Sequence, residues 1–166
     1  GLLNISLRNI TLSTCGIVPQ IYRLAEEHLP ITLAISLHAP NDEIRNRILP
    51  VSRNFKIEDV VKASRYYFKT TGRRVTFEYI LIKDINASPE NAEELCRLTG
   101  KMNCHFNLIP INGTEHIQLY PPDMNEIRKF VSILEKHGKS VTVRRQMGDE
   151  IQAACGQLKR RFLSDK

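Results

Sequence analysis

The sequence predicts an α/β fold, a partial parallel (βα) barrel of about five βα units. Three observations predict it. Short, nearly continuous apolar runs such as Thr32-Leu33-Ala34-Ile35-Ser36-Leu37 and Phe106-Asn107-Leu108-Ile109 read as parallel strands covered on both faces. Amphipathic helical segments alternate with them, giving the order β-α-β-α-β-α-β-α-β and right-handed crossovers. No glycine-rich dinucleotide loop is present, which favours a barrel segment over a doubly wound sheet.

The strands are predicted over residues 8–13, 31–37, 74–82, 105–109 and 140–144. The first helix covers 18–27, with Ile21, Leu24 and Ala25 at helical spacing. The second covers 57–70, with Ile57, Val60, Val61, Ser64 and Tyr67 on one face and Asp59 and Lys62 on the wet side. The third covers 90–98. Ser88 is its N-cap, Pro89 sits in the first turn, and Gly100 stops it. The fourth starts at Asp123, with Glu126 as capping-box partner, and runs to about residue 137 before Gly138. Residues 1–166 are read as a single α/β domain.

Composition bounds the function. With 166 residues, 42% hydrophobic and 25% charged, the chain has the make-up of an ordinary globular domain. No run reaches the roughly 18 apolar residues of a membrane helix, and no signal peptide is visible. The cysteines, Cys15, Cys96, Cys104 and Cys155, fit neither a zinc pattern nor a disulfide framework, so free thiols in the cytoplasm are expected. No CxxxCxxC or CxxC cluster exists to hold iron–sulfur or zinc. Lys+Arg number 24 against 18 Asp+Glu, a net charge of +6 compatible with a polyanionic partner or with a merely basic surface.

Chemistry in a parallel barrel sits where strands end. Polar groups stand there: Ser13-Thr14-Cys15-Gly16, Ser36-Leu37-His38, Lys83-Asp84-Ile85-Asn86 and, after the fourth strand, Pro110-Ile111-Asn112-Gly113. They could bind a polar ligand or simply cap turns. His38 is either an acid, base or ligand, or a hydrogen-bonded loop residue. Glu78, inside an apolar strand, either meets a partner in the barrel interior or points to solvent. Arg73-Arg74 and Arg144-Arg145 could flank a phosphate backbone, while Lys159-Arg160-Arg161 reads as a solvated helix end. Cys155, in Ala153-Ala154-Cys155-Gly156-Gln157-Leu158, has small neighbours that leave its sulfur approachable. The arginines upstream favour the nucleophilic thiolate.

Five segments, in order, resemble the radical-SAM RNA methyltransferases of the RlmN/Cfr family. They are Thr11-Leu12-Ser13-Thr14-Cys15-Gly16-Ile17-Val18-Pro19, Leu33-Ala34-Ile35-Ser36-Leu37-His38-Ala39-Pro40-Asn41-Asp42-Glu43-Ile44-Arg45, Val75-Thr76-Phe77-Glu78-Tyr79, Asn107-Leu108-Ile109-Pro110-Ile111-Asn112 and Ala153-Ala154-Cys155-Gly156-Gln157-Leu158. The resemblance implies the C-terminal part of such an enzyme. The family's iron–sulfur motif, GxGEP-type segment and partner cysteine have no counterpart here, nor does its N-terminal RNA-binding domain. A smaller departure is Ile85-Asn86-Ala87-Ser88, where the family usually has Asn-Asp-Ser.

Carried over, the resemblance makes Ser13, Ser36, Leu37, His38 and Asn112 binders of S-adenosylmethionine, and Cys155 the methyl carrier. It implies a 4Fe–4S cluster whose ligands lie outside this chain. It also implies methylation of adenine C2 in 23S rRNA, and in tRNA for the RlmN branch. In the family's reaction one S-adenosylmethionine methylates the cysteine, and a second yields the radical that moves the carbon to the base. The isolated chain is then expected to be inactive, with an open strand edge at its start that invites edge pairing or dimerisation. The alternatives are a C8-specific enzyme of the same family, a non-catalytic RNA-binding module, and an unrelated small-molecule barrel enzyme using His38 and Glu78.

Overall fold

The computed structural model describes residues 6–49, 53–113 and 118–144. Five strands form one all-parallel sheet in the sequential order β1-β2-β3-β4-β5. They are β1 (Thr11–Thr14), β2 (Thr32–Ser36), β3 (Val75–Leu81), β4 (Cys104–Pro110) and β5 (Ser140–Val143). The connecting helices are α1 (Val18–Glu26), α2 (Asp42–Ile48), α3 (Ile57–Thr71), α4 (Pro89–Thr99) and α5 (Met124–Lys136).

One face of the sheet carries the core. Leu33, Ile35, Val75, Phe77, Tyr79, Leu81, Phe106 and Leu108 pack against Ile21 and Ala25 of α1, Val60 and Tyr67 of α3, Leu95 of α4 and Phe130 and Leu134 of α5. Helices α1, α3, α4 and α5 thus lie on one side of a sheet whose strand order never reverses. That is the layout of a barrel wall, whereas a doubly wound sheet places helices on both sides. The predicted fold class is therefore the one observed.

The caps form as expected. Ser88 accepts from the Asn91 N–H, and Asn91 accepts from the Ser88 N–H. Asp123 and Glu126 make the same reciprocal pair. Two predictions need correction. The first strand begins at Thr11 rather than at residue 8, because Leu7–Asn9 close a 3-10 turn with Ser6 capping the Arg8 N–H. And α2 is a helix that the periodicity did not reveal. Its seven residues are too few for a pattern, so its start rests on Asn41, which caps the Ile44 N–H at 2.9 Å.

The second face of the sheet is different. Strand register aligns Ser13, Ala34, Thr76, His105 and Ser140 in one row, and Ser36, Glu78, Asn107 and Thr142 in the row nearer the strand C-terminal ends. These side chains are mostly half-buried or exposed, where those of the helix-facing side are buried. Nearer the strand ends the same face meets a smaller buried cluster of Ile48, Leu49, Ile80, Ile82, Ile111 and Leu119, so the polar part of this face is confined to these two rows, as fits a barrel interior.

Candidate active site

Ser13 and Ser36 lie on neighbouring strands of this polar face, Ser13 in the row below Ser36. Ser36 donates to the Glu78 carboxylate, Oγ to Oε2, at 3.4 Å. Glu78 is thus half-buried on the polar face and met by a hydroxyl donor there.

Beyond Ser36 the β2–β3 ladder changes character. The N–H groups of Leu37 and His38 both donate to the Glu78 carbonyl. The next donor on β3, the Ile80 N–H, finds the His38 imidazole instead, donating to Nδ1 at 3.1 Å. A side chain here replaces a strand carbonyl. His38 holds a positive φ of 60° to make this turn. Desolvation first, and the Arg45 charge second, lower its pKa from 6.5 to about 4. With Nδ1 accepting, the hydrogen-bond network assigns the proton of the neutral ring to Nε2. His38 near neutral pH is therefore an N–H donor, and the reading that makes it an acid or base loses its basic nitrogen.

Two side chains hold the neighbouring loops. Arg45, on α2 and fully buried, donates from Nε to the Leu37 carbonyl (3.2 Å) and from Nη2 to the carbonyls of Cys15 (2.7 Å) and Ser36 (3.4 Å). It ties the ends of β1 and β2 to one helix. Its Nη1 is buried without a partner, and desolvation lowers its pKa, opposed by Asp42. Gly16, at φ 95°, admits this arrangement, since a Cβ there would come within 3.0 Å of Arg45 Nη2 and 3.1 Å of Val60. Asn86, also fully buried, donates from Nδ2 to the carbonyls of His38 (2.8 Å) and Ile80 (2.6 Å). Its Oδ1 accepts from the Ile82 N–H (2.8 Å), and its own carbonyl accepts from Tyr79 Oη (2.7 Å).

The predicted residues are therefore brought together unequally. Ser13 and Ser36 lie in the C-terminal half of β1 and β2, and His38 just beyond the end of β2. Leu37 turns its side chain into the helix-facing core, its N–H donates to Glu78 and its carbonyl accepts from Arg45, so only the second lone pair of that carbonyl is left for a ligand. Asn112 is exposed just after β4, beside Ile111, whose N–H donates to the Leu81 carbonyl. Cys155 lies outside the described residues, as do Arg145 and Lys159-Arg160-Arg161. The expected pairing of Arg73-Arg74 with Arg144-Arg145 around one phosphate backbone is corrected. Arg73 and Arg74 precede β3 and Arg144 follows β5, so they stand at opposite ends of a parallel sheet. Arg73 is moreover engaged with the Arg8 carbonyl and Thr32 Oγ1. Arg45 and Asn86 were not singled out from the sequence as site residues, although both stand in quoted motifs. Their signal was polarity inside a short segment that must nonetheless be buried. At the departure from the family, Ala87 is buried, and the loop is ordered by Asn86 and Ser88 on either side of it.

The burial of Cys104 pushes its thiol up to about 11, and burial raises Cys96 as well, so both are inert packing thiols. Among the described residues no group of three or more His, Cys, Asp or Glu could hold a metal ion. The donor set of the described residues does not fit an iron–sulfur cluster. Among the described residues, no helix is long and apolar enough to cross a membrane.

A five-strand parallel wall with polar groups gathered near its strand ends defines the class: a portion of a (βα) barrel. Comparison with known proteins goes further. The chain is 50% identical over 161 residues to "Probable dual-specificity RNA methyltransferase RlmN" of Clostridium novyi, covering 97% of this chain and 47% of that protein. The protein of the same name from Lachnoclostridium phytofermentans is 51% identical over 160 residues, 96% of this chain and 45% of that one. A crystal structure of a radical SAM methyltransferase from Sphaerobacter thermophilus superposes with a TM-score of 0.86 at 48% identity, over 93% of this chain and 45% of that chain. A domain of a pyruvate-formate lyase-activating enzyme from Bacteroides vulgatus, 15% identical with a TM-score of 0.62, shares the fold. No protein-family model matches the chain. Along nearly its whole length the chain is thus similar to proteins named RlmN and to a radical SAM methyltransferase, and it spans about half the length of the curated relatives it matches.

Proposed function

We propose that this chain forms the C-terminal part of the catalytic barrel of a cytoplasmic radical-SAM enzyme that methylates C2 of an adenine in 23S rRNA and in tRNA. The methyl group travels on Cys155. The observation that carries the reading is the identity of about half of all residues with RlmN-type RNA methyltransferases along 97% of the chain. The geometry is in keeping with it, because Ser13 and Ser36 share the polar face of the sheet near the strand ends.

In this reading the hydroxyls of Ser13 and Ser36, the second lone pair of the Leu37 carbonyl, the Nε2–H of His38 and the exposed Asn112 amide orient S-adenosylmethionine. Arg45 and Asn86 fix the strand ends that present them. S-Adenosylmethionine, when bound, supplies the methyl group and, with the cluster, the radical chemistry that an electrophilic ring carbon requires. Cluster ligands lie outside this chain, so the chain alone is inactive. Cys155 takes the methyl group as a thiolate nucleophile. The target base leaves its stack to reach the barrel mouth.

The test is Cys155→Ala in the full-length enzyme, with mass spectrometry of nucleosides from rRNA and tRNA. Loss of 2-methyladenosine is expected. Normal methylation by the variant would overturn the carrier role, and an 8-methyladenosine product would overturn the C2 assignment.

A further inference from the structure

We propose that Glu78 is a further cofactor-contacting residue whose carboxylate accepts hydrogen bonds from a donor group of bound S-adenosylmethionine, either its ribose hydroxyls or its α-ammonium. This rests on the reading that Ser36 and its neighbours take that cofactor.

Glu78 is the one acidic residue in any strand of the described structure. Register places it between Ser36 and Asn107, in the row nearer the C-terminal ends of the strands. A half-buried carboxylate costs free energy unless its acceptor sites are filled. Two other partly buried acids have strong partners. Asp42 accepts from the Ile57 N–H at 2.8 Å, and Glu94 accepts from Asn41 Nδ2 through both oxygens. Glu78 has one long bond, from Ser36 Oγ at 3.4 Å, and among the described residues no cation within ion-pair distance. Most of the roughly four lone-pair sites of a carboxylate are thus left for a ligand.

The flanking chain narrows the choice of ligand. Ser36 on one side belongs to the cofactor set, and β4 on the other side leads directly to Asn112 of the same set. S-Adenosylmethionine carries a net positive charge, with an ammonium at one end and a ribose diol in the middle. Both groups donate to an anionic acceptor, and the restricted solvent of a barrel interior strengthens the attraction. Ser36, by donating to Oε2, holds the carboxylate toward the same space.

The test is calorimetric binding of S-adenosylmethionine to the full-length, cluster-reconstituted enzyme, as wild type, Glu78→Gln and Glu78→Ala. Gln keeps the shape and one acceptor oxygen but loses the charge. It should weaken binding about tenfold, in line with a hydrogen bond to a charged group. Ala should weaken it further, with the affinity for RNA and the melting temperature unchanged in both. Methionine and 5′-methylthioadenosine used as separate ligands distinguish the two donors: the variants weaken the first if the ammonium is bound, the second if the ribose is. Affinity within about twofold of wild type in both variants would overturn the proposal, as would a loss confined to RNA binding. Failure of the wild type itself to bind S-adenosylmethionine would instead overturn the underlying reading.

Discussion

At the scale of single residues, His38 shows how a residue type misleads when its surroundings are unseen. Histidine beside a strand end invites an acid–base role, yet this ring accepts a strand N–H and is desolvated. The consequence is measurable. The folded-state pKa is about 4, below the ordinary 6.5. Above pH 6.5 both folded and unfolded states hold a neutral ring, and the contribution is constant. As pH falls from 6.5 toward 4, the unfolded chain takes up a proton that the folded chain refuses. Stability should therefore fall across that window, by an amount on the order of 3 kcal/mol for this group. His38→Asn offers an amide oxygen to the Ile80 N–H and tolerates a positive φ. Urea unfolding at several pH values should show a flatter slope for the variant between pH 6.5 and 4. Parallel slopes would mean that His38 titrates normally.

At the scale of elements, much of the fold was legible because helices and parallel strands leave different periodicities. The capping pairs at Ser88 and Asp123 were readable because they are local in sequence. What escaped was short or non-local. Helix α2 exists to carry Arg45, whose bonds reach Cys15, Ser36 and Leu37, sites distant in sequence or on another element. No pattern in the seven residues of α2 announces those partners. Similarly, Ser13 and Ser36 were visible by their place at strand ends, while the significance of Glu78 depends on a register that only the sheet supplies. The clamp can be tested by Arg45→Met, which keeps an apolar stem and removes the donors. The carbonyls of Cys15 and Leu37 are then left without their donor, a loss of about 3 kcal/mol. Denaturant unfolding should register it as a lower midpoint. Wild-type stability in the variant would mean that water serves those carbonyls equally well.

At the scale of the whole molecule, the sheet has an asymmetry with physical consequences. Strand β1 pairs with β2 on one side, and among the described residues no strand covers its other side. Its residues, Thr11–Thr14, include no Lys, Pro or acid of the kind that protects an edge. Leu7, Ile10 and Leu12 stand 43%, 38% and 39% exposed along or just before it. In the longer enzyme proposed above, this edge receives the rest of the barrel. In the isolated chain the same unpaired N–H and carbonyl groups, with their apolar flank, favour pairing with a second copy. Light scattering on the purified chain should therefore give a mass that rises with concentration. Thr11→Lys, which places a charge on the edge on the face away from the helices, should return it to a monomer. A wild-type chain that stays monodisperse and monomeric at high concentration would overturn the predicted edge pairing.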